Sequence, residues 1–187
     1  MPATSPTGST RIPDAAVRRA TVEDAEAIER IRVDTWRATY RGLLPDGLID
    51  QLQPNVERRR ERLRSLPPSE LNFVAEEGGD VVGYAFAGPE RAHDPEYAGE
   101  VYAIYVLPQH QRKGHGRALV RACARELAAR GMGSLLIWVL RENMIGRRFY
   151  ERLGGLAVRS KPLEEFPGAG EHVEIGYGWK DTRPLVA

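Results

Sequence analysis

The sequence predicts a mixed α/β domain with a central, largely antiparallel sheet of six or seven strands and helices on both faces. Three observations support this prediction. The β-branched and aromatic run that ends at Leu107 is followed by a glycine-containing loop and an amphipathic stretch that ends at Gly131, which is typical of strand, loop and helix. Apolar segments flank Gly78-Gly79-Asp80, a hairpin signal. The run 135–140 is apolar at every position, as expected of a strand buried on both faces.

The first elements follow a polar leader. Residues 1–15 are rich in Pro, Ser, Thr and Gly, so we expect a disordered tail in front of a single domain over residues 16–187. A short strand is predicted at 17–20. Thr21 is predicted as the N-cap of a helix that runs to about Tyr40.

The remaining elements follow from alternation, helical spacing and breakers. Asn143 is expected to cap a helix that places Ile145, Phe149 and Leu153 on one face. A helix over 56–66 mixes Arg with Glu and should present a solvated face. The other predicted elements are a helix at 46–52 and strands at 71–77, 81–87, 101–107, 134–140 and 172–179.

Composition excludes several classes of protein. The 187 residues are 42% hydrophobic and 28% charged with a net charge of +1, so no strong attraction to nucleic acid is expected. The single cysteine, Cys123, excludes an internal disulfide and falls on an apolar helix face; a core residue is favoured over a catalytic thiol. No apolar run approaches the ~20 residues of a membrane span, and no apolar signal stretch opens the chain. We therefore expect a cytoplasmic protein.

The loop between the central strand and its helix is the predicted site of chemistry. Two glycines allow close backbone approach, and the unpaired N–H groups of a helix start favour phosphate. Cationic side chains add to this. The predicted phosphate-binding residues are Gln111, Arg112, Lys113, Gly114, His115, Gly116 and Arg117.

Known phosphate motifs fit this loop poorly. A P-loop needs Lys and Ser/Thr after the second glycine, but Arg117 and Ala118 follow Gly116. A dinucleotide fingerprint needs a third glycine where Leu119 stands. An ordinary tight turn into a helix remains the alternative.

A resemblance identifies the loop more specifically. The pattern Gln111-x-x-Gly114-x-Gly116 between strand and helix resembles motif A of the GNAT superfamily of acyl-CoA-dependent N-acyltransferases. The flanking Val106-Leu107-Pro108, the downstream Asn143 and the run 147–154 are similar to the family as well, so the resemblance covers roughly residues 17–180. It implies acetyl-CoA as co-substrate, no metal, and two central strands that splay apart.

The resemblance also implies roles for the cofactor-facing residues. The pantetheine arm would lie in the gap between the splayed strands, against the backbone of Ile104, Tyr105 and Val106. Asn143 would bind the cofactor from the other side, and Tyr150 would act as the general acid toward the leaving thiolate. A helix cap at Asn143 and a core tyrosine at position 150 remain open as structural alternatives.

The acceptor side is less specified. The resemblance implies that Trp36 and Tyr40 shape an acceptor pocket, with plain packing as the alternative. Glu100, at the start of the central strand, is the predicted base because an ammonium must lose a proton before it attacks. An exposed strand-end carboxylate is its structural alternative. Glu174 and His172 are the other candidate bases.

The predicted function is transfer of an acetyl group from acetyl-CoA to a primary amine. Ribosomal-protein N-terminal acetyltransferases of the superfamily often carry Glu where this chain has Trp138, so a small-molecule amine is favoured over a protein N-terminus. A non-catalytic acyl-CoA-binding module and a peptide or protein N-acetyltransferase remain as alternatives. We expect no nucleic-acid or membrane partner, and a homodimer stays open.

Overall fold

The computed structural model describes residues 16–163 and 172–186. The predicted tail at residues 1–15 lies outside them. Helices α1 to α6 span Ala25–Tyr40, Asp46–Asp50, Val56–Arg64, His115–Ala129, Met144–Arg152 and Arg183–Val186, and strands β1 to β7 span Ala16–Arg19, Leu71–Glu77, Asp80–Pro89, Gly99–Val106, Leu135–Leu140, Leu156–Pro162 and Val173–Trp179. Short 3₁₀ turns cover Val22–Asp24 and Pro108–His110.

All seven strands form one sheet in the order β1-β2-β3-β4-β5-β7-β6. Every neighbouring pair is antiparallel except β4 and β5, which run parallel. One face packs on α4 through Leu119, Val120 and Leu127, and the other packs on α1 through Ile28 and Ile31. The predicted mixed, largely antiparallel sheet with helices on both faces is therefore confirmed.

The two parallel strands separate after a short contact. They pair only at Gly99 with Leu135, Glu100 with Leu136 and Val101 with Ile137. Beyond these pairs β4 keeps β3 as its neighbour and β5 keeps β7. This divergence leaves a gap inside the sheet and confirms the expected splay.

The structure contains the helix start at Thr21 and the helix end at Gly131 that the sequence predicts. The Asp24 carboxylate accepts a hydrogen bond from the Thr21 N–H at 2.8 Å, so Thr21 begins the first helical turn as predicted. Gly131 follows the end of α4 with a φ of +84°, the left-handed conformation of a C′ residue.

Three expectations need correction or refinement. Strand β6 was not predicted, because Arg159, Lys161 and Pro162 interrupt any apolar alternation in this exposed outer strand. Ile145 does not share a buried face with Phe149; it is 76% exposed. The third helix is solvated as predicted, except that the Arg59 side chain is only 15% exposed.

Glu29 connects the first and third helices. Its side chain is 4% exposed and accepts hydrogen bonds from the guanidinium groups of Arg32 and Arg59 and from the Asn55 N–H. Burial alone would raise the pKa of this carboxyl, but these hydrogen bonds outweigh burial and hold the pKa below its usual value. A single ionised carboxylate therefore fixes α3 against α1.

The structure bears on two further predictions, which concern the thiol of Cys123 and the presence of membrane-spanning helices. Cys123 is fully buried, and burial raises the pKa of its thiol to about 12, so it is a protonated core residue as predicted. Within residues 16–163 and 172–186, no helix has the length and apolar character needed to cross a membrane.

Candidate active site

The backbone on the β4 side of the gap alternates between two directions. The Leu107 N–H donates to the Val82 carbonyl at 2.9 Å, which makes this a hydrogen-bonded pair of the antiparallel ladder. Two residues earlier, Tyr105 is therefore also turned toward β3, whereas Ile104 and Val106 turn their main-chain groups into the gap. Ile104, Tyr105 and Val106 were all expected to offer backbone groups to the gap. Tyr105 does not, because its main-chain groups face β3.

The same alternation applies on the other side of the gap. The Arg141 N–H donates to the Val173 carbonyl at 2.8 Å, so Trp138 and Leu140 turn their main-chain groups away from β7 and toward β4. The Leu140 carbonyl already accepts the Asn143 N–H at 2.9 Å. The gap thus has main-chain hydrogen-bonding groups on both sides, as an extended amide-containing ligand requires.

A β-bulge at Tyr102 lies where the strands part. The register of β3 with β4 shifts between Phe86 and Ala87, which pair with Ala103 and Val101 and leave Tyr102 as the extra residue. Its hydroxyl donates to the Pro89 carbonyl at 2.6 Å. A bulge bends and twists its strand, so it contributes to directing the end of β4 away from β5.

The loop at the mouth of the gap is shaped by two glycines with different roles. Gly114 is the N-cap of α4 and has a φ of +98°, a conformation that favours glycine. At Gly116 an added Cβ would lie 3.2 Å from the Phe149 ring, so the glycine permits close approach of α4 and α5. Gln111 ties the loop to the strand by donating to the Val106 carbonyl at 3.1 Å.

The charged residues of this loop divide into two groups. Arg112 and Arg117 are exposed and form no ion pair with any other residue the structure describes. Lys113 donates to Glu77 at 2.8 Å. The His115 side chain is 5% exposed and also faces Glu77, at 3.2 Å, so only its main chain lies at the helix start. The prediction of His115 as a phosphate-binding residue is thus restricted to its N–H.

Tyr150 lies on α5 and is 6% exposed. Its ring contacts the rings of Phe149 at 5.2 Å, Tyr177 at 5.8 Å and Trp179 at 6.4 Å between centroids. Its hydroxyl makes no hydrogen bond with another described residue. Burial, followed by the influence of Tyr105, raises the pKa of Tyr150, so the phenol stays protonated and can donate.

Asn143 is the N-cap of α5. Its Oδ1 accepts the Gly146 N–H at 2.9 Å, which confirms the predicted helix cap. Asn143 also lies close to Tyr40 at the end of α1; burial raises the pKa of the Tyr40 hydroxyl well above its ordinary value, and the Asn143 side chain acts in the opposite direction. The proposed contact of Asn143 with the cofactor stays a prediction.

Aromatic side chains line the α1 side next to this contact. The Trp36 and Tyr40 rings pack edge to face with centroids 5.0 Å apart. The Trp36 indole N–H donates to the Tyr105 hydroxyl at 2.9 Å. The structure therefore brings the two predicted acceptor-wall residues together with a residue of β4; the packing is observed, and the acceptor wall stays a prediction.

Glu100 is buried and paired. Gly99 faces Leu127 of α4 and Val101 belongs to the core on that side, so Glu100 between them faces the α1 side. Its side chain is 2% exposed and accepts from Arg91 Nη2 at 2.5 Å and Nε at 3.1 Å. The alternative of an exposed strand-end carboxylate is therefore wrong, and Arg91 is a neighbour that sequence reasoning missed.

The alternative bases lie on β7 or just before it, and β7 is two strands from β4 in the sheet. The Glu174 side chain on β7 is 20% exposed and lies 3.6 Å from the Lys161 ammonium. That ammonium also sits 4.3 Å from the centre of the Trp138 ring. His172 precedes β7 and is half-buried. On this part of the sheet, the Lys161 ammonium therefore lies between the Glu174 carboxylate and the Trp138 indole.

Comparisons with known proteins agree with this geometry. The model of the acetyltransferase (GNAT) family matches residues 27–155. The uncharacterized N-acetyltransferase YuaI of Bacillus subtilis is 34% identical over 170 residues, which cover 90% of this chain and 95% of that protein.

Solved structures show the same fold. The PaiA N-acetyltransferase of Thermoplasma acidophilum, in complex with coenzyme A, has a TM-score of 0.67 at 18% identity and covers 88% of this chain and 98% of its own. YncA of Salmonella typhimurium, solved with its cofactor acetyl-CoA, has a TM-score of 0.69 at 23% identity and covers 88% and 92%.

Proposed function

The chain belongs to the acetyltransferase (GNAT) family, and from that premise we propose that it transfers an acetyl group from acetyl-CoA to the primary amine of a small molecule. One observation carries the proposal. The gap between β4 and β5 has a helix-start loop at its mouth, and Tyr150 lies near enough to Tyr105 of β4 for that residue to influence its pKa. The coenzyme A complexes of PaiA and YncA support the choice of ligand.

The coenzyme is held by main-chain groups and surface cations. The first-turn N–H groups of α4, with Arg112 and Arg117 beside them, bind the pyrophosphate. The pantetheine amides lie between β4 and β5 and bond the gap-facing groups of Val106 and Trp138. The Ile104 N–H, nearest the point where the strands part, polarises the thioester carbonyl as an oxyanion-hole donor.

The transfer itself needs one base and one hydrogen-bond donor. A carboxylate takes a proton from the acceptor ammonium, the free amine attacks the thioester carbonyl carbon, and the C–S bond then breaks. The nitrogen loses its second proton as the amide forms, and that proton passes through solvent to the departing thiolate, so the products are the N-acetylated amine and the free thiol of coenzyme A. Tyr150 donates to the sulfur as negative charge develops on it. Because the pKa of Tyr150 is raised above that of an ordinary thiol, its main contribution is hydrogen bonding during the step rather than permanent loss of its proton.

Glu100 is the proposed base. It faces the α1 side, where the acceptor wall lies, and a cationic acceptor can replace the Arg91 guanidinium as its partner. The Arg91 side chain is 51% exposed and can move into solvent, and the cationic acceptor then takes its place as the partner of the buried Glu100 carboxylate. Glu174 is the alternative base.

Thiol release from acetyl-CoA with a panel of amines tests the proposal. We expect release with at least one polyamine, amino sugar or amino acid and little with peptides. Release with peptides alone would show a peptide acceptor, and coenzyme binding without release on any amine would show a binding module. In the same assay Glu100→Gln should lower kcat more than Glu174→Gln; the reverse order would assign the base to Glu174.

The conformation of Gly114 should control coenzyme affinity. Gly114→Ala places a Cβ in open space, so its effect comes only from the left-handed backbone, which costs about 1–2 kcal/mol for other residues. We expect the Kd for coenzyme A to rise about tenfold by titration calorimetry. Gly47→Ala is the matched control, because Gly47 also has open space around its Cβ position but has no positive φ. An unchanged Kd for Gly114→Ala would contradict the role of the loop.

A further inference from the structure

A cluster of metal-ligand side chains lies between the phosphate-binding loop and the end of β2, away from the β4–β5 gap. We propose that Glu77, His110 and His115 form a binding site for a divalent transition-metal ion such as Zn²⁺. One ligand atom from each residue lies within 4.8 Å of the others. The three residues come from β2, from the 3₁₀ turn Pro108–His110 and from the first turn of α4.

The spacing of these atoms suits a small tetrahedral ion. Zn–N and Zn–O bonds of about 2.0–2.2 Å place neighbouring ligand atoms roughly 3.3 Å apart. His115 Nε2 already lies 3.2 Å from Glu77 Oε2, and His110 Nδ1 contacts the same oxygen. An ion therefore fits after a shift of the exposed His110 and Glu77 side chains, which are 24% and 37% exposed.

The donor set indicates the class of ion. Two imidazole nitrogens and one carboxylate oxygen favour Zn²⁺, Ni²⁺ or Cu²⁺ over Mg²⁺ and Ca²⁺, which need more oxygen ligands. Three protein ligands leave a fourth position for water. The ring of His115 is buried, its Nε2 faces Glu77, and its Nδ1 makes no hydrogen bond with a described residue. When Nε2 binds the ion, that Nδ1 carries the proton.

The charge around Glu77 is also suitable. A glutamate carboxylate is an anionic oxygen ligand at neutral pH. The second oxygen of Glu77 is bound by the Lys113 ammonium, which is a mobile cation 47% exposed to solvent. A metal ion on Glu77 competes with that ammonium for the same carboxylate.

This competition links the metal site to the loop. Lys113 stands directly before Gly114, the N-cap of α4. When the ion neutralises Glu77, the ammonium of Lys113 is released toward the loop and adds a cation for the coenzyme pyrophosphate. This second step rests on the proposed function, whereas the metal site itself does not. By thermodynamic linkage, metal and coenzyme A then raise each other's affinity by the same factor.

Titration of ZnCl₂ into the full chain without an affinity tag tests the site. We expect one equivalent to bind, with a Kd raised at least tenfold in His110→Ala and in Glu77→Gln, and with Co²⁺ giving the visible absorption of a tetrahedral complex. His93→Asn is the matched control: His93 is a described histidine outside the cluster, and Asn tolerates its φ of +58°. Circular dichroism spectra establish that each variant is folded.

Three outcomes would overturn the metal site, and a separate titration tests its link to the loop. No saturable Zn²⁺ binding, or equal affinity of the wild-type chain and His110→Ala, would overturn the metal site. A loss of affinity in His93→Asn as large as in His110→Ala would also overturn it. Coenzyme A titrations with and without Zn²⁺ test the link through Lys113; equal Kd values at saturated metal would overturn that link, and failure to bind coenzyme A under both conditions would instead count against the proposed function.

Discussion

Tyr150→Phe should lower kcat by about 100-fold or more, with the Kd for coenzyme A nearly unchanged. Removal of a hydrogen-bond donor that faces developing negative charge in a transition state typically costs about 10²–10³-fold. The hydroxyl makes no hydrogen bond with a described residue, and the ring contacts with Phe149, Tyr177 and Trp179 survive the change. The variant should therefore fold normally. Steady-state kinetics and coenzyme titration measure the two quantities separately.

Tyr177→Phe is the matched control for that variant. Tyr177 is also a buried tyrosine and packs on Tyr150, but its hydroxyl donates to Glu151 at 2.6 Å and accepts from Arg147. We expect a small loss of stability and little change in kcat. If both variants lose turnover equally, or if Tyr150→Phe loses coenzyme affinity as much as turnover, Tyr150 is a packing residue.

Glu29→Ala should lower the free energy of unfolding by about 3–5 kcal/mol. The substitution leaves Arg32 and Arg59 facing each other without the carboxylate, and breaking a buried ion pair on one side typically costs that much. The Asn55 N–H at the start of α3 also loses its acceptor. Urea unfolding monitored by circular dichroism measures the change.

An exposed carboxylate serves as control for Glu29, and pH gives a second readout. Glu57 is 72% exposed and pairs with Arg60 and Arg64 on the same helix, so Glu57→Ala should change stability by no more than about 0.5 kcal/mol. The pKa of Glu29 is lowered in the folded state, so its stabilisation is present above the unfolded pKa of about 4.3 and is lost as the pH falls toward the folded value. The difference in the free energy of unfolding between wild type and Glu29→Ala should therefore become smaller in acid. A difference that does not change with pH would contradict the ion-pair explanation.

Local signals predicted most of the fold. The apolar runs before Leu107 and Leu140, the hairpin at Gly78-Gly79 and the cap at Asn143 each depend on residues close together in sequence. Strand β6 could not be found in this way, because Arg159, Lys161 and Pro162 are accommodated only by pairing with β7 on one side. The place of β7 between β5 and β6 has no local signal at all.

The residues of the candidate site also differ in whether a local sequence signal could reveal them. The glycines of the loop could be named because they belong to one short pattern, and Tyr150 could be named because the run 147–154 resembles the family. The exclusion of Tyr105 from the gap depends on which β3 residue it faces, and that register is changed by the bulge at Tyr102. The contact of Glu77 with His115 joins residues 38 apart, and only the folded chain brings them together.

The three-pair contact between β4 and β5 also bears on whether a strand of a second chain could enter the gap. Unpaired strands usually attract a second chain and begin aggregation. Here the gap-facing main-chain groups of Ile104, Val106 and Trp138 lie in the middle of the sheet, between strands that diverge from a common start, and not at its outer rim. A β-strand from another molecule would need constant spacing along its length, so it cannot add in register to both sides. The interior of the sheet therefore stays open to a slender, tapering molecule while remaining closed to a second polypeptide.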